Sequence, residues 1–182
     1  MTEREDKELV KHCLQGERKA FEALVDKYQK TVFNIIYRLI HNFDESEDLT
    51  QKVFIKVYEN LASYNTRYKF FSWIYRIALN ESLNFLKAKK HLTPLDDEYL
   101  ATDKRPDETY NGAELSERIQ KALNQLKPDY KTVIILKHFQ NCSYNEIAEI
   151  VDIPEKTVKS RLFTARQLLK DILIKEGISG YD

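Results

Sequence analysis

Ser143-Tyr-Asn-Glu-Ile-Ala-Glu-Ile-Val-Asp152-Ile-Pro154-Glu-Lys-Thr-Val-Lys-Ser-Arg-Leu-Phe-Thr-Ala-Arg-Gln-Leu-Leu-Lys170 holds two helical patterns with almost nothing between them. Ser143 followed three residues later by Glu146 has the form of a capping box, in which side chain and backbone at a helix start satisfy each other reciprocally. Ile147, Ala148, Ile150 and Val151 are the apolar residues of the short helix that follows. Asp152-Ile153 then reads as a tight turn, and Pro154 as the first residue of a new helix, where a missing N–H costs nothing. That helix repeats Val158, Leu162, Ala165, Leu169 and Ile172 at helical spacing. Its other face carries Lys156, Thr157, Lys159, Ser160, Phe163, Thr164 and Arg166, with Arg161 beside them. A short helix, a brief turn and a polar, basic second helix is the helix-turn-helix plan, which suits a helix entering the major groove while cations meet phosphates. A plain helical hairpin with a solvated face is the competing reading of the same pattern.

Working outward, a helical stripe begins near Ala113 with Leu115, Ile119, Ala122, Leu123 and Leu126, and Pro128 stands where a helix can start before Val133, Ile134, Leu136 and Phe139. Residues 92–112 lose the periodicity, gain Pro94, Pro106 and Gly112, and turn acidic. We expect an extended, flexible linker there. Upstream of it, Lys7 to Leu14 suggests a short leading helix. From Ala20 to His41, Phe21, Leu24, Val25, Tyr28, Val32, Ile35, Ile36, Leu39 and Ile40 recur at steps of three and four. A turn follows at Asn42-Phe43-Asp44, with Asp44 and Glu47 as a capping pair. The next helix carries Leu49, Val53, Phe54, Val57, Tyr58 and Leu61. After a polar break, a helix from about Phe70 to Lys90 turns Trp73, Ile74, Ile77, Ala78 and Phe85 inward. The fold expected is all-α: two small helical bundles, residues 1–91 and 113–177, the second containing the helix-turn-helix.

The chain has 182 residues and a net charge of zero, with four glycines and four prolines. The zero conceals an uneven distribution. Tyr64 to Leu92 has six Lys/Arg against Glu81, Lys156 to Lys175 has six against Asp171, and Thr93 to Glu117 has eight acids against two bases. Two basic stretches separated by an acidic connector fit a nucleic-acid binder with two sites, although solvated helix faces account for part of the pattern. The first basic stretch interleaves Tyr64, Tyr68, Phe70, Phe71, Trp73 and Tyr75 with Arg67, Lys69 and Arg76. Aromatic rings beside cations suit unstacked bases, because every base offers a π-face; Trp73 is equally suited to the core.

Other classes are disfavoured. No apolar run approaches the ~18 residues of a membrane span, and the amino terminus lacks the basic-then-apolar order of a secretory signal. Cys13 and Cys142 are far apart and near no histidine pair, so we expect reduced thiols in a cytoplasmic protein, with no metal and no cofactor. The four histidines are scattered and there is no glycine-rich phosphate loop, which argues against an enzyme. Asp44, Glu47 and Asp48 lie across a helix start, where acids are favourable without any metal. A stand-alone helix-turn-helix regulator would use residues 143–170 but leave the aromatic-basic stretch without a role, and no heptad seam for a dimer is visible.

At these motifs the chain resembles the extracytoplasmic-function group of sigma-seventy-type factors, over roughly residues 20–90 and 113–175. Asp44-Glu-Ser-Glu-Asp48-Leu-Thr-Gln51-Lys-Val-Phe54 is similar to the family's polymerase-binding segment. Phe70-Phe-Ser-Trp73-Ile-Tyr75-Arg76-Ile-Ala-Leu-Asn80 resembles its minus-ten stretch. Leu126-Lys-Pro128, Ser143-Tyr-Asn-Glu146-Ile-Ala and Ile153-Pro-Glu-Lys-Thr157-Val-Lys-Ser-Arg161-Leu resemble the carboxy-terminal domain that reads the minus-thirty-five element. The resemblance implies that Asp44, Asp48, Leu49, Gln51, Phe54 and Tyr58 dock on core RNA polymerase, with Leu49 and Phe54 equally suited to the core. It implies that Tyr64, Arg67, Tyr68, Lys69, Phe70, Ser72, Trp73, Arg76, Asn80 and Lys87 engage melted minus-ten DNA, with Lys89 and Lys90 on phosphates. It assigns the upstream element to Lys156, Thr157, Lys159, Ser160, Arg161, Phe163, Thr164 and Arg166, and sends the acidic linker toward the active-site and RNA-exit channels. An anti-sigma or recruiting protein is a further partner such a factor can take.

Three positions depart from the family pattern, which has Gly at 152, Gly at 156 and Arg at 164. Asp152 is compatible with a left-handed turn. Thr164 removes a cation worth on the order of 1–3 kcal/mol had it been bidentate to a base. We therefore expect weak upstream-element binding, or recruitment partly through another protein.

Overall fold

The computed structural model describes residues 3–92 and 110–177, with side chains for 3–90 and 117–177; residues 93–109, the centre of the expected linker, lie outside the described residues. Every regular element among them is helical, and the helices fall into two units, α1–α4 and α5–α8.

The first unit is built around α2 (Arg18–Ile40), which packs on α1 (Glu3–Leu14), α3 (Phe43–Asn60) and α4 (Phe70–Leu92). Its stripe of Leu24, Tyr28, Val32, Ile35, Ile36 and Leu39 is buried. At about 1.5–3 kcal/mol per fully buried large aliphatic side chain, this row dominates the unit's cohesion. The helix ends in a left-handed His41 (φ 55°, ψ 44°) whose N–H donates to the Tyr37 carbonyl at 2.7 Å. Two residues later α3 begins. Its cap is Asn42, in extended conformation, whose Oδ1 accepts the Glu45 N–H at 3.0 Å. The expected Asp44–Glu47 capping pair is thus displaced by two residues. Phe43 stacks edge-on against Phe33 of α2, so the helix starts earlier and Asp44 becomes a first-turn acid facing the helix dipole.

The core stripe of α4 also differs from expectation. Phe70, Ile74, Tyr75, Ala78 and Leu79 are buried, whereas Trp73, Ile77 and Phe85 are half-buried. Helix α4 packs against both α2 and α3, so its buried face is wider than one periodic row and turned toward Tyr75 and Leu79.

In the second unit, α5 (Tyr110–Asn124) begins three residues before the expected start. Pro128 opens α6 (Pro128–Ile134) at its first position, as the sequence implies. The helix then widens into a π turn, Ile135–Phe139, closed by a hydrogen bond from Gln140 N–H to the Ile135 carbonyl at 3.2 Å. Val133, Ile134, Ile135 and Leu136 are all buried. A regular helix turns each successive residue by about 100°, so four in a row would spread round the axis; the helix is covered by α8 on one side and α7 near the π turn. Asn141 and Asp152, both at left-handed φ (54° and 55°), end this element and α7 (Tyr144–Val151). Asparagine and aspartate tolerate that region better than other non-glycine residues.

Candidate nucleic-acid and polymerase interfaces

The capping box at the start of α7 is complete: the Glu146 N–H donates to Ser143 Oγ at 3.2 Å, and the Ser143 N–H donates to Glu146 Oε2 at 2.8 Å. Ile147 and Ile150 hold α7 to α8 (Glu155–Lys175). Between them the Ile153 N–H reaches the Ala148 carbonyl at 3.2 Å, a Schellman-type closure. Pro154 is not the first helical residue but the cap: its ψ of 143° is extended, and its carbonyl accepts the Thr157 and Val158 N–H groups.

Val158, Leu162 and Ala165 fasten α8 to the unit, leaving Lys156, Lys159, Ser160, Phe163, Thr164 and Arg166 exposed and Thr157 half-buried. Phe163 is 66% exposed, a ring with no core role. The hydroxyls of Ser160 and Thr164 donate to the helix carbonyls of Thr157 and Ser160. The cations differ in freedom. Arg161 is half-buried and ion-paired with Asp129 of α6 at 3.3 Å, a tie between the two helices. Lys159 pairs with Glu155 at 2.6 Å and lies over the Tyr144 ring, and Glu155 holds its ammonium above the ordinary lysine value. Lys137 lies over the same ring at 4.9 Å. Arg166 leans on His138.

In the first unit the outward face of α3 presents Asp44, Asp48, Gln51 and Tyr58. Leu49 and Phe54 are 4% and 8% exposed. Of the two places open to them, docking surface and core, both take the core. Ile55, 57% exposed, takes the apolar place beside Tyr58 and was missed. Its signal is a second row, Gln51-Ile55-Tyr58 at steps of four and three, lying just off the buried row. Phe21 braces Tyr58 edge-on at 5.0 Å.

The aromatic-basic stretch divides in the same way. A short 3-10 turn (Leu61–Ser63) leads into a loop in which Asn65 Oδ1 accepts the Arg67 N–H and the Asn65 carbonyl accepts the Tyr68 N–H. Asn65, Arg67 and Tyr68 are exposed, and Lys69 lies over Phe71 at 5.6 Å. Tyr64 is folded under the loop, its hydroxyl donating to the Tyr68 carbonyl at 2.6 Å. Tyr64, Phe70 and Ser72 are buried, so their expected contact with DNA is corrected to support from beneath. Trp73 is intermediate, with its ring 5.3 Å from Tyr64 and 5.7 Å from Phe70. Arg76, Asn80 and Lys87 fall on one line of α4 at about 100° per residue, half-buried, exposed and exposed.

Among the described residues, no group of three or more His, Cys, Asp or Glu is placed to hold a metal ion, and no helix is long and apolar enough to cross a membrane. Cys13 is half-buried and Cys142 buried, both as free thiols.

Both halves match known families. Residues 24–91 match the model of sigma-70 region 2, and residues 116–169 that of sigma-70, region 4. The RNA polymerase sigma-H factor of Pseudomonas aeruginosa is 31% identical, with 95% of this chain and 96% of the relative covered. The ECF RNA polymerase sigma factor SigW of Bacillus subtilis is 34% identical, with 90% and 94% covered. Among solved structures, CnrH in complex with the cytosolic domain of CnrY shares the fold at a TM-score of 0.73 and 22% identity, covering 94% of this chain and 98% of that one. RpoE in complex with the anti-sigma factor NepR from Bartonella quintana does so at 0.72 and 24%, covering 85% and 97%. The chain belongs to the sigma-70 family, as an extracytoplasmic-function (ECF) sigma factor that binds core RNA polymerase and directs promoter recognition and initiation. A stand-alone regulator would leave the region 2 match without a purpose.

Proposed function

We propose a division of labour among three surfaces of this factor. The α3 row of Asp44, Asp48, Gln51, Ile55 and Tyr58 docks on core polymerase, its shape held by Leu49 and Phe54 beneath. The loop of Asn65, Arg67, Tyr68 and Lys69, with Trp73, Arg76 and Asn80 of α4, holds the melted minus-ten strand, and Lys87, Lys89 and Lys90 meet phosphates. Lys156, Lys159, Ser160, Phe163, Thr164 and Arg166 of α8 meet the upstream element. The observation that carries this reading is the sorting of the aromatic stretch: Tyr68 and Arg67 stand in solvent on a loop supported from below by Tyr64 and Phe70, which suits ring stacking and backbone neutralisation. The chain supplies no catalytic group; the polymerase carries the chemistry, in the cytoplasm. Residues 1–91 serve polymerase and minus-ten DNA, 113–177 the upstream element, and 92–112 link them.

Upstream binding is weak. Thr164 stands where a base-reading arginine would be, and Lys159 is drawn toward Glu155. Recruitment through another protein compensates, and an anti-sigma protein holds the factor in reserve, as NepR is named for RpoE. Transcription with purified core polymerase on a promoter library tests the whole. Transcripts from promoters sharing a minus-ten element, with loose upstream sequence, are expected. Failure to co-elute with core polymerase would sink the reading, and strong sequence-selective upstream footprinting without any further protein would sink the weak-binding part.

A further inference from the structure

Asp6 of α1 is 4% exposed, an acid withdrawn from water at the side of α2. Such burial is costly unless the carboxylate is paired and hydrogen-bonded. Asp6 has both: Lys27 pairs with Oδ1, and the Tyr28 hydroxyl donates to Oδ2 at 2.7 Å. Two donors on two oxygens fix the carboxylate and aim the Tyr28 ring. That ring lies 5.5 Å from Phe70, and Phe70 meets Tyr64 edge-on at 5.3 Å. Tyr64 in turn donates to the Tyr68 carbonyl. The contacts form an unbroken series from a carboxylate on α1, under α4, to the backbone of the exposed loop.

We infer that Asp6 and Tyr28 are positioning residues for promoter melting: they hold the Phe70–Tyr64 platform at the height that presents Tyr68 and Arg67 to the unpaired strand. The inference rests on the loop's assignment to minus-ten DNA made above. A hydrophobic pair could fill the same space without the cost of desolvating a carboxylate, but it would hold the Tyr28 ring by packing alone, with no directional bond at its hydroxyl end. The electrostatics agree. Burial and then Asp6 raise the Tyr28 hydroxyl well above the ordinary tyrosine value, and burial, then Asp6 and Glu3, push Tyr64 up to about 12. Both stay protonated and donate in the directions observed.

Tyr28→Phe deletes only the hydroxyl and keeps the ring; Asp6→Asn deletes the charge but keeps an acceptor. In holoenzyme, Tyr28→Phe is expected to assemble normally with core polymerase and to lower permanganate reactivity of minus-ten thymines about tenfold, the size of coupling that a side chain acting without touching the ligand transmits. Asp6→Asn should lose at least as much, because an amide oxygen accepts from only one of Lys27 and Tyr28 and leaves the other facing an NH2. Trp73 is the only tryptophan, so its emission in the free factor reads the platform directly and should shift in Tyr28→Phe. Leu39→Ala, a buried change about 16 Å farther along α2, serves as the stability control and should leave both readouts alone. Normal melting by Tyr28→Phe, or equal loss of melting by Leu39→Ala, would overturn the inference. Arg67→Ala/Tyr68→Ala separates the two readings. If that double variant melts promoters normally, the loop assignment falls and the positioning role with it; if it fails while Tyr28→Phe melts normally, only the positioning role falls.

Discussion

Arg166 Nε donates to His138 Nε2 at 3.2 Å, so an exposed cation of α8 is aimed by the π turn before it. To accept, His138 must be neutral at Nε2. Burial, then Arg166 and Lys137, hold its pKa below the ordinary 6.5. Between that lowered value and 6.5 the unfolded chain binds more protons than the folded one, so stability rises with pH across the window and is level above it. Hydrogen-exchange protection of α7 and α8 is therefore expected to weaken as pH falls below 6.5. In His138→Gln, which keeps an acceptor but cannot titrate, that step should vanish. A wild-type profile without the step would contradict the arrangement.

Lys131 is a cation buried in the second unit, its ammonium donating to Asn124 Oδ1 at 2.6 Å and lowered by burial to about 7. The unfolded lysine stays protonated up to its ordinary 10.5. Stability of this unit should consequently increase as pH rises from about 7 toward 10.5. Lys131→Met is expected to remove that slope and to raise the unfolding temperature at neutral pH, since a buried charge is exchanged for an apolar side chain of similar length. A lower unfolding temperature in the variant would show that the Asn124 bond outweighs the desolvation.

Helix caps give a comparison within one molecule. Asn42 caps α3 and Ser143 caps α7, so Asn42→Ala and Ser143→Ala should each cost about 1 kcal/mol. Asp44→Ala, which removes only a first-turn charge, should cost about 0.3–1 kcal/mol, and less at high salt. Denaturant midpoints for the three variants check the order; a larger loss at Asp44 than at Asn42 would restore the cap to Asp44.

Thr164→Arg places a guanidinium on the exposed face of α8, where the threonine hydroxyl now only back-bonds to the Ser160 carbonyl. Binding to an upstream element with a suitably placed guanine is expected to tighten by about 1–3 kcal/mol. Competition binding at fixed salt, against the same duplex with that guanine replaced, would measure it. Equal tightening on both duplexes would mean a phosphate contact instead.

The helices, the left-handed Asp152 and the Ser143 capping box were legible because each is a local property, set by residues within a turn or two of one another. Where a cap was misplaced, a longer-range contact intervened: Phe43 packs on Phe33 of the preceding helix and draws the start of α3 back to Asn42. Within the candidate stretches, the sequence did not separate exposed residues from buried ones. Aromatic and apolar residues of one stretch look alike in sequence, yet Tyr64 and Phe70 lie beneath the loop while Tyr68 stands on it. Leu49 and Phe54 suit core and docking surface equally in sequence, and Ile55 beside them gives no sign of its exposure, because each sits about one residue's rotation from the boundary of a buried face.

Local patterns along the chain are enough to specify helices in two units, a capped helix-turn-helix in the second and charge gathered at two basic stretches. Hydrophobic period, caps and charge are written in order along the chain. Helix packing set which side chains pair, with Arg161 tied to Asp129, Arg166 aimed by His138 and Asp6 of α1 bonded to Tyr28 of α2. Those pairings join residues from 21 to 32 positions apart, such as Lys27 with Asp6 and Arg161 with Asp129. Nothing in the local pattern specifies them, because side chains that distant meet only once helix packing has set the distance between their backbones.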